Sequence, residues 1–190
     1  MDKIYIENKT FEKADFTGNP LTKGDYEACT FKNCNLSNTD LSNFNFTECE
    51  FKGCDLSLVK LNKTALRDVK FKDCKLLGLH FENCNEFLFS VHFENCILNL
   101  SSFYKRSLKK TKFINCRLQE VDFGETDLTA SVFDNCDLMR SIFDNTNLEK
   151  ADLRTSFNFS IDPETNRIKK AKFSLAGIAG LLHKYDIEIE

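Results

Sequence analysis

Residues 136–155 read Cys136-Asp137-Leu138-Met139-Arg140, Ser141-Ile142-Phe143-Asp144-Asn145, Thr146-Asn147-Leu148-Glu149-Lys150 and Ala151-Asp152-Leu153-Arg154-Thr155. Each group of five opens on a small residue and carries a large apolar residue two positions later. Counted back in fives from Leu138, the apolar beat continues through Phe133, Leu128, Phe123, Leu118, Phe113, Leu108, Phe103, Leu98 and Phe93 to Leu88. A second run, offset by two residues, extends from Ile6 to Phe81, and apart from Ile6 and Tyr26 every centre in both runs is Phe or Leu. No helix of 3.6-residue period and no flat strand of period two places such residues on one surface. The chain is therefore expected to be a solenoid.

The position two before each centre holds mostly Cys, Thr, Ser, Ala or Val. In extended backbone these two positions face the same side, so each unit sends one small and one large side chain inward. Phe93, Phe113 and Phe133 recur every 20 residues, as do Leu88, Leu108, Leu128 and Leu148. That spacing predicts a coil of four units in which like stacks on like.

Units such as Cys136-Asp137-Leu138-Met139-Arg140 and Ala151-Asp152-Leu153-Arg154-Thr155 resemble the pentapeptide-repeat family, over about residues 4–155. The resemblance implies an all-β solenoid: a right-handed quadrilateral parallel β-helix with one pentapeptide on each side. At a strand spacing of ~4.8 Å, the coils would form a rod roughly 36 Å long. The expected organisation is a repeat region at 1–155 with a two-residue slip near 82–88, a final coil with a turn excursion at 156–173, and a tail at 174–190. In the final coil Ile168 and Phe173 return to phase, with Ala171 at the small position. In the tail Ser174 reads as a helix N-cap. A helix would follow over Leu175 to Tyr185, with Ile178, Leu181, Leu182 and Tyr185 on its apolar face, and then a short strand presenting Ile187 and Ile189.

Two irregularities carry specific expectations. Seven residues separate Phe81 from Leu88, so two extra residues should bulge near Cys84-Asn85-Glu86, with Leu88 inward and Phe87 and Phe89 outward. These rings form either an exposed contact patch or a cluster under the folded-over bulge. Glu86 and Arg106 occupy small-residue positions 20 apart, which suggests an ion pair between adjacent coils; the alternative is that both escape to solvent at a distorted corner.

Composition narrows the function classes. Net charge is −3, which argues against direct nucleic-acid binding. No apolar run is long enough to span a membrane, and the N-terminal residues lack a secretory pattern, so a cytoplasmic protein is expected. The nine cysteines fall at inward positions in lines, Cys34, Cys54 and Cys74 in one column and Cys96, Cys116 and Cys136 in another, where they act as small hydrophobes. Aligned thiols without an adjacent His do not make a tetrahedral metal site, and an odd number of cysteines without a secretion signal argues against disulfides. His80, His92 and His183 are not placed to pair with a nucleophile, and no phosphate loop or nucleophile elbow occurs. No metal, cofactor or catalysis is expected.

Charge is uneven along the chain. Residues 105–117 hold only basic charges, whereas the following coils carry Glu120, Asp122, Glu125, Asp127, Asp144, Glu149 and Asp152 among nine acidic and two basic residues between 118 and 152. The open end of a solenoid needs a cap or partner, and the apolar tail suggests a homodimer that would bring two acidic bands together. This layout resembles the dimeric quinolone-resistance pentapeptide-repeat proteins. It implies a non-enzymatic DNA mimic that binds a type II topoisomerase, DNA gyrase or topoisomerase IV, and modulates it or protects it from quinolones. The alternative is a structural or interaction scaffold with an unrelated partner.

Overall fold

In a computed structural model, which describes residues 4–188, the chain winds into a four-sided parallel β-solenoid of about seven turns. In chain order the strands are β1 (Ile4–Glu7), β2 (Thr10–Glu12), β3 (Gly24–Glu27), β4 (Thr30–Lys32), β5 (Asn45–Thr47) and β6 (Glu50–Lys52). They continue as β7 (Ala65–Arg67), β8 (Val69–Lys72), β9 (Val91–Glu94), β10 (Lys112–Ile114) and β11 (Val132–Asp134). The first face stacks β1, β3, β5 and β7; the second stacks β2, β4, β6, β8, β9, β10 and β11. The third and fourth faces, which carry Leu36 and Leu41 in the second coil, are joined between coils by single bridges such as Asn35↔Asp55 and Asp40↔Lys60.

The corner geometry explains the five-residue beat. At nearly every centre the residue two positions on has positive φ, as in Asn33, Asn38, Asn43, Asn115 and Asn135. On the third and fourth faces the N–H three residues after the centre donates back to the centre's carbonyl, as Thr39 does to Leu36 at 3.1 Å and Phe44 to Leu41 at 3.2 Å. A β-turn with positive φ at its third residue turns the chain through one corner, and the next inward pair begins.

Inside, the rings stack coil on coil. Phe11, Phe31, Phe51, Phe71, Phe93, Phe113 and Phe133 lie 4.6–5.4 Å apart and within 14° of parallel. A second column, Phe81, Phe103, Phe123 and Phe143, stacks at 4.5–5.5 Å on the fourth face. The two columns meet edge-on, as Phe103 does against Phe113 at 6.1 Å and 81°. Each fully buried ring contributes roughly 1.5–3 kcal/mol by leaving water.

All nine thiols are free and buried. The two expected columns are one: Cys54 N–H donates to Cys74 Sγ at 3.4 Å and the Lys75↔Ile97 bridge aligns Cys74 with Cys96, so Cys34, Cys54, Cys74, Cys96, Cys116 and Cys136 form a single line across the slip. Their role also exceeds that of a small hydrophobe, because five of these six thiols donate to a carbonyl of the coil before. Cys54 Sγ reaches Phe31 O at 3.3 Å and Cys136 Sγ reaches Phe113 O at 3.3 Å. Thr126 and Thr146 do the same on the fourth face, reaching Phe103 O and Phe123 O at 2.8 Å. The small position therefore takes residues with one short donor, which satisfies a buried carbonyl.

At the slip the expected placement needs correction. Phe81–Asn83 form a 3-10 turn and Lys63 N–H reaches Asn83 O, one residue further than in earlier coils, but Asn85 N–H donates to Thr64 O as in those coils, so the earlier phase is kept at Cys84, with Glu86 at the centre. Leu88 has φ of 58° and is 64 % exposed; it is a corner residue, not an inward centre. The extra pair is Phe89-Ser90, after which the register shifts from 20 to 22 residues, Val69 pairing with Val91. Phe89 turns in against the core, 6.4 Å from Phe81, while Phe87 stays 65 % exposed with Arg67 over its ring. The first-face sheet ends at β7, and Glu86 occupies the next centre on that face.

The Glu86–Arg106 pair does not form. Among the described residues no ion pair joins them; Glu86 is exposed, and the Arg106 guanidinium donates to the main-chain carbonyls of Glu82 and Cys84, the latter at 2.9 Å. Arg106 thus performs at longer reach what a threonine or cysteine does elsewhere, because the bulge has moved the carbonyls away.

Beyond residue 155 the chain leaves the square and returns. Phe159 and Ile161 fold inward, Phe159 5.6 Å from Phe173. Buried Asn166 donates its amide to Phe143 O at 2.9 Å. Ile168 and Phe173 pack against the core. Helix α1 spans only Ala179–Leu182, followed by a 3-10 turn at His183–Tyr185. Ser174 accepts the Gly177 N–H at 3.0 Å, but this closes a turn ahead of α1 and does not cap an eleven-residue helix. Gly177 and Gly180 disfavour a longer helix. Gly180 is fixed by contact, since a Cβ there would sit 2.4 Å from Phe159 O.

Candidate interaction surfaces

The expected acidic residues do not share one face. The bridges Asp122↔Ile142, Asp127↔Asn147 and Asp152↔Lys172 place them on the fourth, first and second faces respectively. Five of the seven also face a cation. Glu120 lies 3.9 Å from Arg140, Glu125 3.5 Å from Lys105 and Asp127 3.1 Å from Lys109. Glu149 lies 2.7 Å from Arg167, and Asp152 lies 2.8 Å from Arg154 and 3.7 Å from Lys172. Asp122 and Asp144 have no ion pair among the described residues, and Asp122 accepts the Gly124 N–H at 2.8 Å.

The electrostatics of these carboxyls follow from their partners. The hydrogen bond from the Tyr104 hydroxyl, 2.7 Å away, holds Glu125 below the usual carboxylate range with help from Lys105. Burial pushes Asp127 up, but the Thr129 hydroxyl and N–H together with Lys109 more than reverse it. The Arg154 hydrogen bond, then its backbone N–H and Lys172, lower Asp152 against the effect of burial. These groups stay ionised at neutral pH, but their fields are largely answered by adjacent cations. The basic block at 105–117 therefore does not oppose the acidic coils from a distance; Lys105 and Lys109 ladder directly onto them.

The tail residues divide into two sets. Leu181 and Leu182 are half-buried, and Leu181 packs on the core. Tyr185 is exposed, with its hydroxyl donating to Glu164 at 3.0 Å, and Lys184 bridges Asp162 at 2.8 Å and Glu164 at 2.7 Å. Ile161 N–H donates to Gly180 O at 2.9 Å. The tail is thus tied to its own excursion. Leu175, 90 % exposed, Ile178 and Ile187 point away from the rod. Ile187 is not in a strand, and Ile189 lies outside the described residues. Beside the tail, Met139 and Phe157 line an open hollow floored by Gly177 and Gly180.

Sequence reasoning missed the exposed leucines Leu58 and Leu100, which have φ of 59° and 64°. Their signal was present: each lies two residues after a centre, where the chain must turn.

The stacked five-residue units, filled to the axis and turned at left-handed corners, define a pentapeptide-type β-solenoid. The model of the pentapeptide repeat region matches residues 25–86 and 87–158, and the chain belongs to the pentapeptide-repeat family. Its fold matches a trypsin-treated form of QnrB1, a plasmid-mediated fluoroquinolone resistance protein, with a TM-score of 0.64 and 19 % identity over 100 % of both chains. Full-length QnrB1 gives a TM-score of 0.56 and 18 % identity over 96 % of this chain and 100 % of that one. HetL of Nostoc sp. strain PCC 7120, a pentapeptide repeat protein involved in heterocyst differentiation regulation, gives 0.47 and 17 % identity over 91 % and 85 %. A search of the curated proteins finds no match by sequence. Among the described residues no helix is long and apolar enough to cross a membrane.

Proposed function

We propose that the protein is a non-catalytic interaction rod that binds a partner protein through its outer faces. The observation that carries this is the interior: rings and thiols fill the coils to the axis, and hollows such as those beside Lys70 and the tail are open at the surface. A rod of this kind presents side chains at fixed spacing without an ordering cost on binding. The fold shared with QnrB1, a fluoroquinolone resistance protein, supports a type II topoisomerase as the partner, DNA gyrase or topoisomerase IV. In that reading Asp122 and Asp144, with Glu120, Glu125, Asp127, Glu149 and Asp152 beside them, meet the cations of a DNA-binding saddle. A second reading, a scaffold for an unrelated partner, is favoured by the ion pairs that neutralise five of these seven carboxylates.

Gyrase supercoiling and topoisomerase IV relaxation, measured with and without a fluoroquinolone, decide between them. Inhibition by the wild type, or relief of the drug's effect, supports the topoisomerase partner. Asp122→Asn with Asp144→Asn should then weaken it, and strengthening salt should weaken it further. No effect on either enzyme leaves the scaffold reading.

The working form in this proposal is a homodimer joined at the tail. The support is the apolar set Leu175, Ile178 and Ile187, beside exposed Met139 and Phe157 at the same end. A stable interface buries upwards of about 1,000 Å². Sedimentation of the full chain should show a dimer and Leu175→Glu with Ile178→Glu a monomer; a monomeric wild type at micromolar concentration would refute the dimer.

A further inference from the structure

The second face carries a row of cations that the acidic coils do not explain. The residue before the buried phenylalanine is Lys70 in β8, His92 in β9 and Lys112 in β10. The register sets Lys70 beside His92, and the pairing of Phe93 with Phe113 sets His92 next to Lys112. Like charges side by side on neighbouring strands are destabilising. The neighbouring carboxylates are engaged elsewhere: Glu50, the register partner of Lys70 in the same row, pairs with Lys52 at 2.8 Å, and in the adjoining row Lys72 pairs with Glu94 at 2.7 Å. Those pairs occupy the nearest glutamates and leave Lys70 and Lys112 without an ion pair among the described residues. All three side chains line one surface hollow.

The imidazole adds direction. His92 is half-buried, and its Nδ1 lies 3.3 Å from the Lys112 N–H, which donates to it. In the neutral ring that bond places the proton on Nε2, which remains a donor.

We propose that Lys70, His92 and Lys112 form a binding site for a tetrahedral oxyanion of the phosphate or sulfate class. The two ammonium groups and the His92 Nε2–H supply the donors. Two strand spacings of ~4.8 Å separate the lysines, a gap that their flexible four-carbon stems can close over the central imidazole. The phosphoryl group has two possible sources, a free phosphate or the backbone of a nucleic acid. Asp68, Glu50, Lys72 and Glu94 share the hollow. Burial, then Lys112 and Lys70, hold the His92 imidazolium below its usual range against the pull of Asp68. A bound anion opposes that shift, so binding tightens as pH falls and His92 takes up its second proton at Nδ1, giving up the bond from the Lys112 N–H.

The test is an NMR titration of the full chain with sulfate, which does not titrate in this range, at constant ionic strength made up with chloride. The expected result is a saturable shift of the His92 ring with affinity about tenfold higher at pH 5.5 than at pH 8. Lys70→Gln with Lys112→Gln should weaken it at least about tenfold, while Lys32→Gln on the same sheet leaves it unchanged. A shift that grows linearly without saturation, or equal affinity in the double variant, overturns the site. Inorganic phosphate and a short DNA duplex then separate the sources. A saturable His92 shift with either supports the site, and no shift with both overturns it.

Discussion

The coils before Phe89-Ser90 and those after it solve the same packing problem differently. Before it, two adjacent faces carry strands, and the rings follow: Tyr26 and Phe46 on the first face stand against Phe31 and Phe51 on the second. After it only the second face keeps strands, and the second ring column moves to the fourth face, opposite the first. Phe81 starts that column, directly ahead of the slip. Corner chemistry changes as well. Asn8, Asn33, Asn38, Asn43, Gly53, Asp68, Asp73 and Gly78 fill just over half of the left-handed positions of the early coils. Later, Asn95, Asn115 and Asn135 remain at the corner after the strands, linked as a ladder at 2.9–3.0 Å, while Leu100, Lys105, Lys110, Glu120, Glu125 and Arg140 occupy other corners. A pentapeptide coil is thus held by its inward pair, and the corner residue is free to vary at a local cost in backbone energy.

Removing one ring from the later column should have the largest effect. Phe103 lies 4.5 Å from Phe81 and 5.5 Å from Phe123, and it is fully buried. Phe103→Ala should cost about 3–5 kcal/mol in urea unfolding. If the two halves were independent, a fluorescence probe in the early coils would report no loss; a single shared transition would show that Phe81 couples them.

Arg106 tests the seam itself. Its guanidinium is the partner of two carbonyls displaced by the bulge, and losing a charged hydrogen-bond donor costs about 1.5–3 kcal/mol. Lys109→Ala, which removes the surface pair with Asp127, should cost about 0–1 kcal/mol. Equal small losses would mean that water serves those carbonyls equally well. A converse variant removes Phe89-Ser90 and adds Glu86→Leu and Arg106→Thr. It should fold with a continuous 20-residue register, and failure would show that the seam is required for folding.

The two pH limits come from different parts of the molecule. Burial pushes the Cys49 and Cys84 thiols up to about 12. A folded value above the unfolded one of about 8.5 gives stability that is whole below pH 8.5 and is lost as pH rises towards 12. Asp127 and Asp152 behave oppositely: their folded values lie below the unfolded one of about 3.9, so their contribution is present above that and is lost on acidification through the folded values. Melting temperature against pH should fall on both flanks. Cys49→Ala should flatten the alkaline flank while Asp127→Asn flattens the acid one. An unchanged alkaline flank would place the thiolates in water.

How far the sequence could be read follows from the same contrast. Centres from Phe11 to Phe81 were legible because inward residues obey one rule, one large and one short side chain per unit. Leu88 was not, because apolarity alone does not separate a centre from an exposed corner. The better signal was Cys84, a short donor two residues ahead of Glu86, which keeps the earlier beat. The acidic coils misled for a geometric reason. Their neutralising partners, Arg140 for Glu120 and Arg167 for Glu149, are about one coil away, so a count along the chain separates charges that the fold stacks. The tail helix was overread because Ile178, Leu181, Leu182 and Tyr185 have helical spacing, whereas Gly180 is there to meet Phe159.

The smallest effect isolates the corner from the core. Leu58 and Leu100 are about 60 % exposed, have φ of 59° and 64°, and lie on the same edge with Gly78 between them. A leucine pays for the left-handed region through its Cβ, at roughly 1–2 kcal/mol, whereas asparagine enters it more readily. Exposed, neither leucine recovers much by burial, although the Leu58 side chain lies over Gly78. Leu58→Asn and Leu100→Asn should each raise stability by about 0.5–1 kcal/mol, read as a higher urea midpoint at unchanged m-value. Because the sites are two coils apart, the double variant should show nearly the sum. If stability falls instead, the leucines are held by packing along that edge, and the corner is part of the fold's cohesion after all.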